Sequence, residues 1–133
     1  MTDPFRSVDA EDQKLISLAA ETSNRAHRPG RHGVGAALLC GSGRIYVGVC
    51  VESTHGVCAE PVAVGAAIAA GEIVFTKIVA AGYWGQVLSP CGNCRQLLLD
   101  YSPEMEVIFM LDGLVRKTEV KNLLPGAYLT VFE

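Results

Sequence analysis

Charge is scarce in this sequence. Only 19% of its 133 residues are charged, and the net charge is −3. A non-specific nucleic-acid binder would carry a basic excess, and this chain has none. Long apolar runs are missing as well. The longest, residues 62–70, is interrupted by Gly65 and bounded by Gly71, well short of the roughly 20 apolar residues that cross a membrane. The opening residues 1–9 lack the apolar core of a secretory signal. The expectation is a soluble, cytoplasmic protein with no nucleic-acid or membrane partner. No internal repeat or low-complexity segment is visible, and a hydrophobic fraction of 50% excludes disorder. A chain of this length builds one core rather than two, so a single domain over 1–133 is expected.

Paired cysteines are also lacking. Five is an odd number for a disulfide framework. Metal binding accounts for Cys58, Cys91 and Cys94. Cys40 is most simply a small core residue on a strand, and Cys50 is left over.

What is present is a clear alternation of elements. Residues 9–25 carry an apolar stripe (Leu15, Leu18, Ala19, Thr22, Ala26) at helical spacing, with Asp9 as N-cap and Glu11 and Asp12 in the first turn. Arg28, Pro29 and Gly30 end that helix. Residues 34–40 and 44–51 are short, partly β-branched runs joined by Gly41, Ser42 and Gly43, which predicts a hairpin. Residues 59–70 are alanine-rich and apolar nearly all round, as in a helix buried on several sides. Pro61 falls in its first turn, where N–H groups lack intrahelical acceptors, and Gly71 suits its end. Strands are expected over 73–81 and 106–111, with a helix over 91–101 between them. A short strand or irregular segment over 114–118, a helical turn at 123–125 and a last strand over 128–132 complete the chain. This order predicts an α/β fold: a three-layer α-β-α domain with a mixed five-stranded sheet and parallel strand–helix–strand crossovers.

The chemistry concentrates in two places. Cys91 and Cys94 form a C-x-x-C pair behind Pro90, and Cys58 opens the preceding helix with Glu60 two residues on. Cys58 and Cys91 fall at or near helix N-caps, where unpaired N–H groups and the positive end of the dipole favour thiolate. Three thiolates leave one corner of a tetrahedral zinc site open to a water. A carboxylate beside the metal that is not a ligand can move protons to and from that water, and Glu60 is placed for this. Three thiolates and Zn2+ sum to −1, which weakens the metal as a Lewis acid. Positive charge behind the sulfurs would offset this, and Arg95, next to Cys94, is the candidate. Two readings compete with a catalytic zinc: a structural zinc with His55 as fourth ligand, and a redox C-x-x-C pair, which would need neither Cys58 nor Glu60. Elsewhere, Arg25, Arg28 and Arg31 with His27 and His32 cluster within eight residues, either a solvated loop or a lip over the site that attracts an anionic group.

From residue 34 to 128 the chain resembles the cytidine deaminase superfamily. The features that carry this are Val34-Gly-Ala-Ala-Leu38, Gly48-Val-Cys-Val-Glu52, Cys58-Ala-Glu60, Ser89-Pro-Cys-Gly-Asn-Cys-Arg-Gln96 and Leu123-Leu-Pro125. Gly43-Arg-Ile45, the residue after Cys58-Ala-Glu60, and Arg95-Gln-Leu-Leu-Leu-Asp100 resemble the blasticidin-S deaminase branch of small nucleoside deaminases. The resemblance implies a homotetramer with one zinc per subunit and active sites completed by neighbouring chains. It implies Cys58, Cys91 and Cys94 as zinc ligands and Glu60 as the proton carrier. It implies that the backbone near Ala59 and Ser89 holds the base edge and that Glu52 meets a sugar hydroxyl. Three features depart from the family pattern: Cys50 stands where the family has asparagine, Pro61 stands where an arginine is common, and the loop from Glu52 to Cys58 is shorter. His32 replaces a phenylalanine near the base, and is either a substrate contact or a strand-edge residue.

The leading expectation is hydrolytic deamination of a small aminopyrimidine nucleoside, cytidine-like or blasticidin-S-like. The alternatives are a deaminase of a different amino-heterocycle and a zinc-stabilised binding module without catalysis. Tyr83 and Trp84 suit either the pocket or an interface.

Overall fold

Asp9 starts the first helix for a local reason. In the computed structural model, which describes residues 3–130, its side chain accepts the N–H of Asp12 while the Asp12 side chain accepts the N–H of Asp9. This reciprocal capping box satisfies two donors that a helix start leaves unpaired. Helix α1 then runs Ala10–Ala26. The hairpin forms as its glycines predict, with β2 over Val34–Cys40 and β3 over Ile45–Val49, and Gly43 takes a positive φ of 87° in the turn. Helix α2 covers Ala59–Ala69, and Gly71 follows it at φ 92°. Strand β4 is Phe75–Gly82, β5 is Val87–Leu88, α3 is Gly92–Tyr101, β6 is Glu106–Leu111 and β7 is Leu114–Glu119. A short 3-10 turn over Val120–Leu123 lies where a helical turn was expected, three residues early.

The sheet is mixed, in the order β1-β7-β6-β4-β2-β3 with β1 at Arg6–Ser7, and β5 adds to β4. Among the described residues it has seven strands rather than five. The two extra strands are two-residue pairings with no periodicity for a sequence pattern to reveal. Segment 114–118 is a full antiparallel partner of β6, joined to it through Asp112 and Gly113, both at positive φ. The crossover β4–α3–β6 is parallel as expected. The one before it is not between neighbours, because β2 inserts antiparallel between β3 and β4. Residues 128–130 are not in a strand; the rest of the expected last strand lies outside the described residues.

Alternation along the central strands divides the core into two layers. Ala36, Leu38 and Cys40 of β2, with Val107 and Phe109 of β6, pack with Ala63, Val64 and Ala67 of α2 and Leu98 and Leu99 of α3. Ala37, Val79, Ala81 and Ile108 face the other way, onto Leu15, Ile16 and Ala19 of α1. This is the expected α-β-α layering, and Cys40 is the core residue it was read as. Among the described residues no helix is long and apolar enough to cross a membrane.

Two glycines let helix backbone approach the sheet. A Cβ at Gly35 would meet the Ala19 carbonyl at 2.2 Å, and one at Gly48 would meet the Ala63 nitrogen at 2.5 Å and the Ala59 carbonyl at 2.8 Å. Gly48 therefore seats the first turn of α2, which carries Glu60, against β3. A second feature anchors the opposite layer. Asp12 is fully buried and receives Lys77 Nζ at 2.5 Å and Lys117 Nζ at 2.7 Å. These bonds hold its carboxyl at about 2, against the desolvation that would raise it. By sequence Asp12 is only a first-turn acid. Its lysine partners lie 65 and 105 residues away, where no local signal reaches.

Candidate active site

Two helix starts meet at one point. Cys58 is the N-cap of α2 and Cys91 the N-cap of α3, each with extended backbone (φ −70°) and neither closing a side-chain cap bond. Cys94 lies in the first turn of α3 and is buried. The Sγ atoms of Cys58, Cys91 and Cys94 lie within 4.8 Å of one another, and those of Cys58 and Cys91 are 3.9 Å apart. Thiolates on a tetrahedral zinc, at Zn–S near 2.3 Å, stand about 3.8 Å apart, so the cluster fits the metal. N–H groups of Cys94 and Asn93 face the Cys91 sulfur and lower its thiol pKa. Burial raises those of Cys94 and Cys58. His55 is not part of the group.

The delivery of Cys91 depends on how β4 divides its partners. Its early residues pair with β6, while Ala80 and Ala81 pair with Leu88 and Val87 of β5. Strand β5 therefore leads into Ser89, Pro90 and Cys91 beside the carboxyl end of β4, the customary place for a site in an open α/β sheet. Ser89 is fixed there, its Oγ accepting the Met110 N–H at 3.0 Å. Arg95 donates Nε to the Pro90 carbonyl at 2.9 Å and Nη1 to the Leu123 carbonyl at 3.0 Å. Among the described residues its hydrogen bonds brace the loop before Cys91 rather than reach a sulfur.

Glu60 is 6% exposed, and its Oε1 lies 3.8 Å from Cys94 Sγ. Burial pushes its carboxyl above the usual range. Cys58, Cys91, Ala59, Glu60, Cys50 and Ser89 line one cavity of about 160 Å³, closed by Val34, Ala80 and Leu88. None of the last three is a candidate site residue by sequence, although Val34 belongs to a motif that carries the resemblance. Ala80 and Leu88 become neighbours only through the two-residue β5, which has no pattern of its own.

Glu52 and His32 stand together beside Cys50. The Cys50 thiol donates to Glu52 Oε1 at 3.0 Å, the His32 N–H donates to Glu52 Oε2 at 2.8 Å, and His32 Nδ1 donates to the Cys50 carbonyl at 2.9 Å. These bonds lower the Glu52 pKa; burial, with Glu52 alongside, raises that of the Cys50 thiol. Neither Glu52 nor His32 lines the cavity. Tyr83 and Trp84 are exposed on the turn after β4, and His27 stacks on Tyr83 with ring centres 3.8 Å apart. Arg28 and Arg31 close a turn by backbone bonds in both directions, and none of Arg25, Arg28 and Arg31 is ion-paired among the described residues.

Comparison with known proteins bears on this constellation directly. Residues 9–111 match the family model of the cytidine and deoxycytidylate deaminase zinc-binding region. The chain belongs to this family. It is 33% identical to blasticidin-S deaminase of Bacillus cereus, covering 92% of this chain and 95% of that one. It is 33% identical to cytidine deaminase of Sporosarcina psychrophila, covering 87% and 90%. Among solved structures, cytidine deaminase of Mycobacterium tuberculosis superposes with a TM-score of 0.75 at 31% identity, covering 90% of this chain and 98% of that one. Cytidine deaminase of Burkholderia pseudomallei gives 0.75 at 32%, covering 91% and 100%. The deaminase is a zinc-dependent aminohydrolase, and the three converging sulfurs hold one zinc ion per subunit.

Proposed function

We propose that this deaminase removes the exocyclic amine of a small aminopyrimidine nucleoside by hydrolysis, releasing ammonia. The observation that carries the reading is the cavity itself. At about 160 Å³ it is below the roughly 300 Å³ at which pockets for whole drug-sized ligands begin. It suits one heterocyclic ring, with the sugar outside. Cys58 and Cys91 of the sulfur cluster, the thiol of Cys50 and the buried Glu60 carboxylate line it.

When bound by Cys58, Cys91 and Cys94, zinc supplies Lewis acidity that makes a water a stronger acid. Glu60 takes a proton from the attacking water and returns protons to the ring nitrogen and the departing amine. One carbon–oxygen bond forms and one carbon–nitrogen bond breaks. Ala59 and Ser89 hold the base edge through their backbone at two sides of the cavity. Arg95 keeps the Pro90 carbonyl, and with it Cys91, in place. Glu52 lies beyond the cavity, where the sugar would project.

The assembly we infer is a homotetramer. Its support is α2, whose solvent-facing residues Gly65, Ala66, Ile68 and Ala69 include no polar side chain, an apolar surface of the kind that marks an interface. Five free thiols suit the reducing cytoplasm.

Cytidine and blasticidin S are the substrates named for relatives of this chain. Ammonia release with cytidine, deoxycytidine and blasticidin S in parallel tests the reading. Turnover of cytidine marks a nucleoside salvage enzyme, and turnover of blasticidin S alone marks a resistance enzyme. Consumption of none by zinc-loaded protein refutes the substrate class. A deaminase of another amino-heterocycle is the second reading, favoured by the thiol of Cys50 in the cavity wall.

A further inference from the structure

The Glu52 carboxylate is held from both sides by groups that are 2 and 20 residues away. Cys50 Sγ gives its hydrogen to Oε1 at 3.0 Å, and the His32 N–H goes to Oε2 at 2.8 Å. His32 is in turn tied down. Its ring donates to the Cys50 carbonyl at 2.9 Å, and its own carbonyl accepts Ser23 Oγ at 3.3 Å. His32 also adopts a φ of 58°, which a non-glycine residue accepts only when its surroundings hold it there. Cys50 and His32, bonded to each other through the Cys50 carbonyl, together clasp one carboxylate.

A carboxylate offers about four lone-pair sites. Two are already taken, one on each oxygen, so the orientation of the group is fixed and the remaining sites are acceptors only. Among the described residues no lysine or arginine lines the adjoining cavity. This edge therefore reads a hydrogen-bond donor on the part of the substrate outside the cavity. Resting on the reading that Glu52 faces the sugar, we propose that Cys50 and His32 are positioning residues. They set selectivity for a sugar that keeps its hydroxyl donors by locking the Glu52 carboxylate in the orientation that receives one. A rotationally free carboxylate could still accept the same bond, but binding would have to fix it first.

The test compares cytidine with 2′,3′-dideoxycytidine, measuring kcat and KM for each in zinc-loaded wild-type protein and in Cys50→Ala, Cys50→Ser, His32→Gly and Glu52→Gln. Melting temperatures establish that each variant is folded; glycine accepts the positive φ at position 32 without strain. Cys50→Ala and His32→Gly should each lower the preference for cytidine in kcat/KM by about 5-fold, through KM rather than kcat. Cys50→Ser, which retains a donor, should keep the preference; a purely packing role for the sulfur would not produce that rescue. If Glu52→Gln removes the preference while Cys50→Ala and His32→Gly retain it, the positioning role is wrong and the reading of Glu52 survives. If Glu52→Gln leaves the preference intact, the reading of Glu52 is itself wrong. Absence of cytidine turnover in the wild type also overturns the proposal, since it commits to a hydroxylated sugar.

Discussion

Replacing Gly48 by alanine should damage the active site from outside it. The added methyl would stand 2.5 Å from the Ala63 nitrogen, 2.8 Å from the Ala59 carbonyl oxygen and 2.9 Å from Val62 Cβ. These atoms are mostly helix backbone, which cannot rotate away as a side-chain tip can. Relief requires α2 to lift from β3 by roughly 1 Å to reach ordinary van der Waals separation. Overpacking of this kind costs about 1–3 kcal/mol, which at this chain length lowers Tm by about 4–12 °C. The same lift moves the turn that carries Cys58 and Glu60, and a displacement of that size costs about 100-fold in rate. Calorimetry of the zinc-loaded variant and kcat/KM by ammonia release measure the two effects. A Gly48→Ala protein with wild-type Tm and wild-type rate would show that the close approach does not position the site.

Asp12 is buried between two lysines with its pKa lowered from 3.8 to about 2. A lowered carboxylate stabilises the fold above its unfolded pKa and loses that contribution as pH falls through the folded value. About 2 kcal/mol should therefore disappear between about pH 5 and pH 2. Denaturant unfolding across that range should show a flatter acid limb in Asp12→Asn, together with a loss of roughly 3 kcal/mol at neutral pH from poorly paired lysines. Ile68→Glu puts a charge on the apolar outer face of α2, and sedimentation should show a lighter species than the tetramer proposed for the wild type. Chelation of zinc should lower Tm, equivalent to about 4 kcal/mol where free zinc exceeds its Kd a thousandfold, and added zinc should restore it.

The convergence of Cys58, Cys91, Cys94 and Glu60 in the candidate site was legible in the sequence because the signals are local. Cys58 with Glu60, and Cys91 with Cys94, each sit in the first turn of a helix whose start the pattern marks, and Pro61 is tolerated for the same reason. What could not be read is what the tertiary fold alone creates. Strands β1 and β5 have two residues each, too few to show alternation, yet β5 sets one wall of the cavity. Segment 114–118 reads as marginal because Arg116 and Lys117 interrupt its apolar residues. Its pairing with β6, and the ion pair of Lys117 with Asp12, make it a strand. His32 looked like a lone edge residue or a base contact. The structure places it on Glu52 and Cys50, outside the cavity lining, through contacts spanning 18 and 20 residues.

The most direct test of zinc-dependent deamination with Glu60 as the proton carrier is a zinc titration. Zinc is added stepwise to metal-free wild-type protein and to Glu60→Ala, and ammonia release from cytidine and blasticidin S is followed at each step. Wild-type activity should rise linearly and level off at one zinc per subunit. Glu60→Ala should bind the same amount of zinc and turn over about 100- to 10,000-fold more slowly. Activity that is independent of added zinc, or a Glu60→Ala protein as fast as the wild type at equal occupancy, would contradict it.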